Sequence, residues 1–189
     1  MLRSWETERL IVRPLVRDDL NALFPLIYGD PEVVRYFASY TTYAEVEPLH
    51  ERKVAFNEDP GSGGFGYFGV VLKDTQVLIG QVLLGPPEPA TWMVLPETSP
   101  AYPLGDEAEL GYAFGQAHWG QGFAAEACRA VIAYVFENLG LRRLVNSVDS
   151  RNPRSIRLME RLGFEVEPNL HPDGTRVVGV LTAERYRLG

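Results

Sequence analysis

The chain has 189 residues, 46% of them apolar and 23% charged, which excludes a disordered or fibrous protein and suits one α/β domain, residues 1–189, that buries its own core. A formal charge of −7 argues against a nucleic-acid partner, and the single cysteine, Cys128, rules out an internal disulfide or a cysteine-cluster metal site. No apolar run reaches the ~18 residues of a membrane span and Met1 to Glu8 lack an apolar signal core, so no membrane association and a cytoplasmic location are expected.

Arg9 to Pro14 reads as a first strand. Asp18 is placed to cap a helix through Leu20, Leu23, Phe24 and Ile27, which Gly29 would end. Thr42 and Glu45 have the spacing of a capping box, predicting a helix to about Asn57 whose middle carries Pro48. Phe65 to Lys73 and Gln76 to Leu84 are apolar runs around Asp74-Thr75, the pattern of a hairpin. Gly85 to Glu107 then interrupts with 23 residues that hold six of the fourteen prolines, longer than the ~12–15 residues of an ordinary loop. Its Trp92, Met93 and Tyr102 suit a substrate lid, a homodimer contact or packing over a sheet edge.

Ala108 to Phe114 reads as a strand. It is followed by a helix from about Gly122 to Leu139 with apolar residues at Phe123, Ala127, Val131, Val135 and Leu139. A strand over Arg143 to Asp149, a helix over about Pro153 to Leu162, and last strands beginning at Phe164 and over Arg176 to Leu181 complete the order. The sum is an α/β sandwich with one mixed sheet. Between Phe114 and the helix, Gly120 and Gly122 allow backbone to approach a ligand, and the helix's first-turn N–H groups lack intrahelical acceptors. This is the sequence of an anion cradle. Antiparallel strands ahead of the glycines, and no Gly-x-Gly-x-x-Gly, exclude a Rossmann dinucleotide site.

The blocks Thr7 to Pro14, Glu109 to Phe114, Trp119 to Ala127, Asn152 to Ser155 and Leu158 to Phe164, in this order, resemble the GNAT acyltransferase superfamily, in particular its RimJ/RimL-type branch of ribosomal-protein alanine acetyltransferases. The resemblance covers nearly the whole chain. It implies the GNAT fold: a mixed, mostly antiparallel sheet of six to seven strands flanked by helices, with a splayed central parallel pair. It also implies acetyl-CoA as cosubstrate, no metal, and an amine-bearing acceptor, either a small molecule or a protein N-terminus. N–H groups from Trp119 through Gly120, Gln121, Gly122 and Phe123 to Ala124 would hold the pyrophosphate, with Trp119 standing where the wider family has Gln or Arg. Pantetheine would pair with the backbone of Tyr112, Ala113 and Phe114 and take a hydrogen bond from Asn152, with Ser155 facing the sulfur. Taken as plain structure, Asn152 and Ser155 are only a helix start.

Other GNAT branches protonate the departing thiolate with a Tyr seven residues after the Asn. Met159 stands there, lining the coenzyme without a proton to give, which leaves Ser155 as the acid. Glu109 opens the strand beside Gly111 and Ala113 and is the expected base, or else a substrate anchor or an ordinary strand-end charge. His118, His50 and His171 carry no assigned role, Cys128 reads as a small core residue, and Glu126 as a solvated helix face. The rival reading is a catalytically silent acyl-CoA-binding or sensor module on the same fold.

Overall fold

The computed structural model describes residues 3–37, 42–87, 106–167 and 175–188. Trp92, Met93, Tyr102 and His171 lie outside them. The strands β1 (Trp5–Glu6), β2 (Leu10–Pro14), β3 (Gly66–Leu72), β4 (Leu78–Gly85), β5 (Glu107–Phe114), β6 (Arg143–Asp149), β7 (Glu165–Glu167) and β8 (Arg176–Thr182) hydrogen-bond in the order β1-β2-β3-β4-β5-β6-β8-β7. Among the described residues the sheet has eight strands, where six to seven were expected. It is mixed, with β5–β6 parallel and the β1–β2, β2–β3, β3–β4, β6–β8 and β7–β8 pairs antiparallel. The short β1, whose two residues pair with Val12 and Ile11, carries too little pattern to be read from sequence. Gly85 and Glu107, expected in the long loop, each belong to a strand.

Contacts divide the chain into two compact units, the first comprising Met1–Leu84 and Tyr112–Ala130 and the second Gly85–Gly111 and Val131–Gly189. In the first, β2, β3 and β4 form an antiparallel meander in the registers Leu10↔Leu72 and Gly66↔Leu84. Leu10, Val12, Phe68 and Val70 are fully buried, as alternation on a half-covered sheet requires. The first helix departs from expectation. Arg17–Asp19 form a 3₁₀ turn, α1 proper is Leu20–Leu23, and Phe24–Tyr28 widen into a π turn closed by Gly29. Asp18 is not the cap. Asp19 is buried instead, where its carboxylate accepts from the Val16 N–H and from Arg13 at 2.7 and 2.8 Å. A carboxylate that accepts three donors tolerates burial that a solvent-facing cap would not need.

A further turn, α2 (Pro31–Val34), has Asp30 as its N-cap. Thr42 and Glu45 form the predicted capping box at the head of α3 (Tyr43–Glu58), with the Thr42 N–H 3.0 Å from the Glu45 carboxylate. The helix runs through Pro48, which lies inside it and leaves the Ala44 carbonyl without its usual N–H donor. Asn57 in its last turn makes a strand-like pair of bonds with Tyr67, 2.8 Å each way, and so fastens α3 to β3. Leu15, Leu23, Ile27, Val46 and Ala113 pack as one cluster, with Tyr67 and Trp119 against it.

In the second unit β5 runs parallel to β6 in the register Glu107↔Arg143 to Glu109↔Val145, and β6 lies antiparallel to β8 over its whole length. The helix after the glycines, α4 (Phe123–Ala133), passes into a π turn over Tyr134–Asn138. Phe123, Ala127, Val131 and Val135 are buried at the predicted spacing, whereas Leu139 is half-buried. Cys128 lies on the same helix, fully buried, and burial pushes its thiol well above the ordinary range. α5 (Pro153–Arg161) and α6 (Ala183–Leu188) complete the fold.

Candidate active site

Phe114 ends β5 against Gly80 of β4. A Cβ at Gly80 would come within 2.5 Å of the Phe114 ring and 2.7 Å of the Ala113 carbonyl, so only glycine lets the strands approach this closely. The chain then turns through Gln116–His118 into the glycine loop. Trp119 sets that turn with its indole N–H, which donates to the Phe114 carbonyl at 2.7 Å. Gly120 and Gly122 take φ of 75° and 85°, a region strained for any residue with a Cβ. The first bond of the α4 ladder runs from the Glu126 N–H to the Gly122 carbonyl, so the N–H groups of Phe123, Ala124 and Ala125 precede it.

A clasp from the far end of the sequence holds this loop. Arg9, at the mouth of β2, donates to the Gln121 carbonyl at 3.1 Å, lies 4.4 Å over the Phe123 ring and pairs with Glu126 at 2.7 Å. Glu126 also accepts the Thr7 hydroxyl at 2.5 Å and the Arg9 N–H at 2.8 Å. The solvated face expected for Glu126 is thus overturned: its side chain is only 17% exposed. Burial pushes the carboxyl up, but the bonds from Thr7 and Arg9 outweigh that and hold it below its ordinary value. No local pattern marks this contact, whose partners stand 117 and 119 positions apart. His118 is half-buried, edge-on to Phe123 at 6.4 Å.

In the second unit the parallel ladder stops after Glu109↔Val145. At the next position the Asn146 side chain donates to the Leu110 carbonyl, a side-chain bond where a strand would have placed a backbone one. The splayed pair follows from this early stop. Glu109 and Tyr112 are half-buried on β5. Two residues before Glu109, Glu107 is buried against Arg143. Burial pushes its carboxyl up to about 7, although Arg143 and then Arg142 pull it down. Glu107 and Glu109, two apart on β5, lie on one face of the strand, and that spacing is the signal by which Glu107 is legible beside Glu109.

The turn from β6 to α5 is braced by Asp149, which accepts from the Arg151 N–H and, at 2.9 and 2.7 Å, from its guanidinium. Asn152 then caps α5, its side-chain oxygen 3.1 Å from the Ser155 N–H, which leaves the amide NH₂ as a donor. Ser155 is buried. Met159, one helical turn further on, is fully buried with its sulfur 2.8 Å from where a Cβ of Gly179 would stand. Among the described residues no cluster of His, Cys, Asp and Glu could hold a metal ion, and no helix is long and apolar enough to cross a membrane.

The two-glycine loop ahead of α4 and the parallel β5–β6 ladder of three residue pairs are each features that the GNAT resemblance implies. Residues 9–165 match the family described as the acetyltransferase (GNAT) domain. The chain is 31% identical over 161 residues to the uncharacterized N-acetyltransferase p20 of Bacillus licheniformis, covering 85% of this chain and 82% of that protein. It is 24% identical over 161 residues to the ribosomal-protein-serine acetyltransferase of Escherichia coli K12, with the same coverage. The crystal structure of the acetyltransferase from Agrobacterium tumefaciens C58 superposes with a TM-score of 0.74 at 27% identity, covering 96% of this chain and 95% of that one. The chain belongs to the GNAT acetyltransferase family, and its activity is acetyl transfer from acetyl-CoA to an amine. The silent acyl-CoA-binding alternative finds no support in these relatives.

Proposed function

We propose that the protein is a cytoplasmic, single-domain N-acetyltransferase of the RimJ/RimL-type branch, acting by direct attack of a primary amine on acetyl-CoA within a ternary complex. The observation that carries this is the clasped loop, in which Gly120 and Gly122 adopt left-handed backbone ahead of the open N–H groups of α4. The pyrophosphate sits on the backbone of Trp119, Gly120, Gln121, Gly122, Phe123 and Ala124, where the helix dipole favours negative charge. The pantetheine arm follows β5 at Tyr112, Ala113 and Phe114, and the free amide donor of Asn152 meets it. Met159, one turn beyond Ser155 on α5, lines the coenzyme without a proton to give.

Glu109 takes the proton of the incoming amine. The amine nitrogen bonds to the thioester carbonyl carbon, whose oxygen gathers charge and is stabilised by a β5 N–H near Phe114. As the carbonyl re-forms the carbon–sulfur bond breaks, and the thiolate is protonated through the Ser155 hydroxyl, which takes a proton from water in the same step. Glu109 returns the amine's proton to solvent, and the products are an N-acetyl amide and coenzyme A. No step requires a metal or a covalent enzyme intermediate. The acceptor is a small amine or a protein N-terminus, the latter supported by the name of the Escherichia coli relative. The acidic charge argues against nucleic acid, and the Pro-rich segment 85–107 serves as an acceptor lid or a homodimer contact.

The test is release of coenzyme A thiol with a panel of amines and short peptides, followed across pH for the wild type and Glu109→Gln. The variant is expected to lose the alkaline-rising limb of kcat/KM. An unchanged profile would rule Glu109 out as base.

A further inference from the structure

On the α1 and α3 side of the first unit, three polar groups from distant parts of the chain meet. The Tyr28 hydroxyl oxygen accepts from Lys53 Nζ at 2.5 Å and from Gln81 Nε2 at 2.8 Å. Lys53 Nζ also stands 5.1 Å from the centre of the Tyr28 ring and 5.3 Å from that of Tyr67. Tyr28 belongs to the same core cluster as Ala113 of β5, with Tyr67 and Trp119 packed against that cluster, and Gln81 follows Gly80, where a Cβ would meet Ala113 and Phe114. Tyr28 is buried and Lys53 and Gln81 are half-buried.

The hydrogen-bond count of this trio is unbalanced. An ammonium has three N–H donors and no acceptor, and Lys53 uses one of them on Tyr28. Both bonds to the Tyr28 oxygen come from donors that cannot accept, so the hydroxyl proton points elsewhere. Of the trio's own atoms the remaining acceptor is Gln81 Oε1, which is buried without a partner among the described residues. Turning the Gln81 amide over would satisfy the hydroxyl but leave its NH₂ as a donor in the same place, so donors remain in excess either way. Lys53 has no carboxylate partner among the described residues, whereas Arg9, Arg13 and Lys73 in the same unit pair with Glu126, Asp19 and Glu6. A half-buried cation without a counter-ion is costly in an empty site and favourable once an anion arrives.

We propose that the amine acceptor of this enzyme carries a carboxylate, which binds Lys53 Nζ and the Tyr28 hydroxyl while the amine is presented to the thioester. The inference rests on the acetyltransferase reading above and narrows its acceptor class. The Tyr28 and Tyr67 rings hold the ammonium in place, so it reaches the carboxylate without losing freedom on binding.

The test uses acceptors in pairs that differ only by carboxylate against carboxamide: free amino acids with their amides, and short peptides with Asp against Asn near the first residue. Thiol release by wild type is expected to favour the carboxylate member by about ten- to a hundredfold in kcat/KM, the worth of a hydrogen bond to a charged group. Lys53→Met, which keeps the apolar stem, should abolish that preference through KM, and Lys53→Arg should restore part of it. Which set of pairs shows the preference separates a free amino acid from a peptide acceptor. Thiol release with no preference, or a preference that survives in Lys53→Met, overturns the proposal and leaves the acetyltransferase reading intact. Absence of thiol release with every amine counts against that reading instead. In that event calorimetric titration of the protein–coenzyme A complex with the same pairs still decides, and equal or no binding of the two members overturns the proposal.

Discussion

Replacing Arg9 with Met tests whether the coenzyme loop is held from the other end of the chain. The change removes the Arg9–Glu126 ion pair, whose members are 43% and 17% exposed, and screening limits its worth to about 1 kcal/mol. The hydrogen bond to the Gln121 carbonyl adds about 1 kcal/mol and the guanidinium over Phe123 about 0.5–1 kcal/mol. These share one side chain and do not add fully, so a loss of about 2 kcal/mol is expected, or about 4–8 °C in Tm at this size. The second effect is electrostatic. Glu126 stands in the first turn of α4, and without Arg9 its carboxylate would be left uncompensated beside the loop proposed to hold the pyrophosphate. KM for acetyl-CoA should rise about tenfold with kcat little changed, since the interaction lost is equal in ground and transition states. Adding Glu126→Gln to Arg9→Met removes the stray charge and should recover much of the KM but not the Tm. Thermal unfolding and initial-rate kinetics on the four proteins of the cycle read both. An unchanged KM in Arg9→Met, or a double variant no better than the single, would refute the reasoning.

Two further predictions concern the second unit. The folded protein holds the Glu107 proton up to about pH 7, against an ordinary 4.5, so stability should fall as pH climbs between these values and level off above. Glu107→Gln should flatten that slope, and urea midpoints across the window that still decline as in wild type would contradict it. At Asn152 the cap and the ligand contact can be separated. Asn152→Ala should lose about 1 kcal/mol of stability, whereas Asn152→Asp keeps the capping oxygen, preserves stability, and raises KM for acetyl-CoA by removing the amide donor. Equal KM values for Asn152→Asp and wild type would remove Asn152 from the coenzyme site.

What was legible in the sequence was what is local. The Thr42–Glu45 box, the hairpin around Asp74-Thr75 and the Asn152 cap each depend on residues a few positions apart, and the structure has all three. The strand expected over Arg143 to Asp149 has those bounds as β6. Asp18 has the residue type of a cap, but the structure places Val16 there, and it is Asp19 that turns inward to the guanidinium of Arg13 on β2. The π turns at Phe24–Tyr28 and Tyr134–Asn138 keep helical apolar spacing and so look like plain helix. Glu126 looks solvated from its own helix alone, because its partners, Thr7 and Arg9, lie just before β2. The trio of Tyr28, Lys53 and Gln81 is spread over three elements that only the folded sheet assembles.

The sealed position of Cys128 has a practical consequence for every rate measured on this enzyme. Aromatic disulfide reagents that colour on meeting coenzyme A also colour on meeting protein thiols, and they react with the thiolate. This chain has one sulfhydryl, fully buried and pushed by burial far from ionising, so in the native state the colour comes from product alone. Once the fold opens, the same sulfhydryl meets the reagent, and one equivalent of colour per chain counts the molecules that have unfolded. One reagent thus reports turnover below the melting transition and loss of structure above it, with no label added.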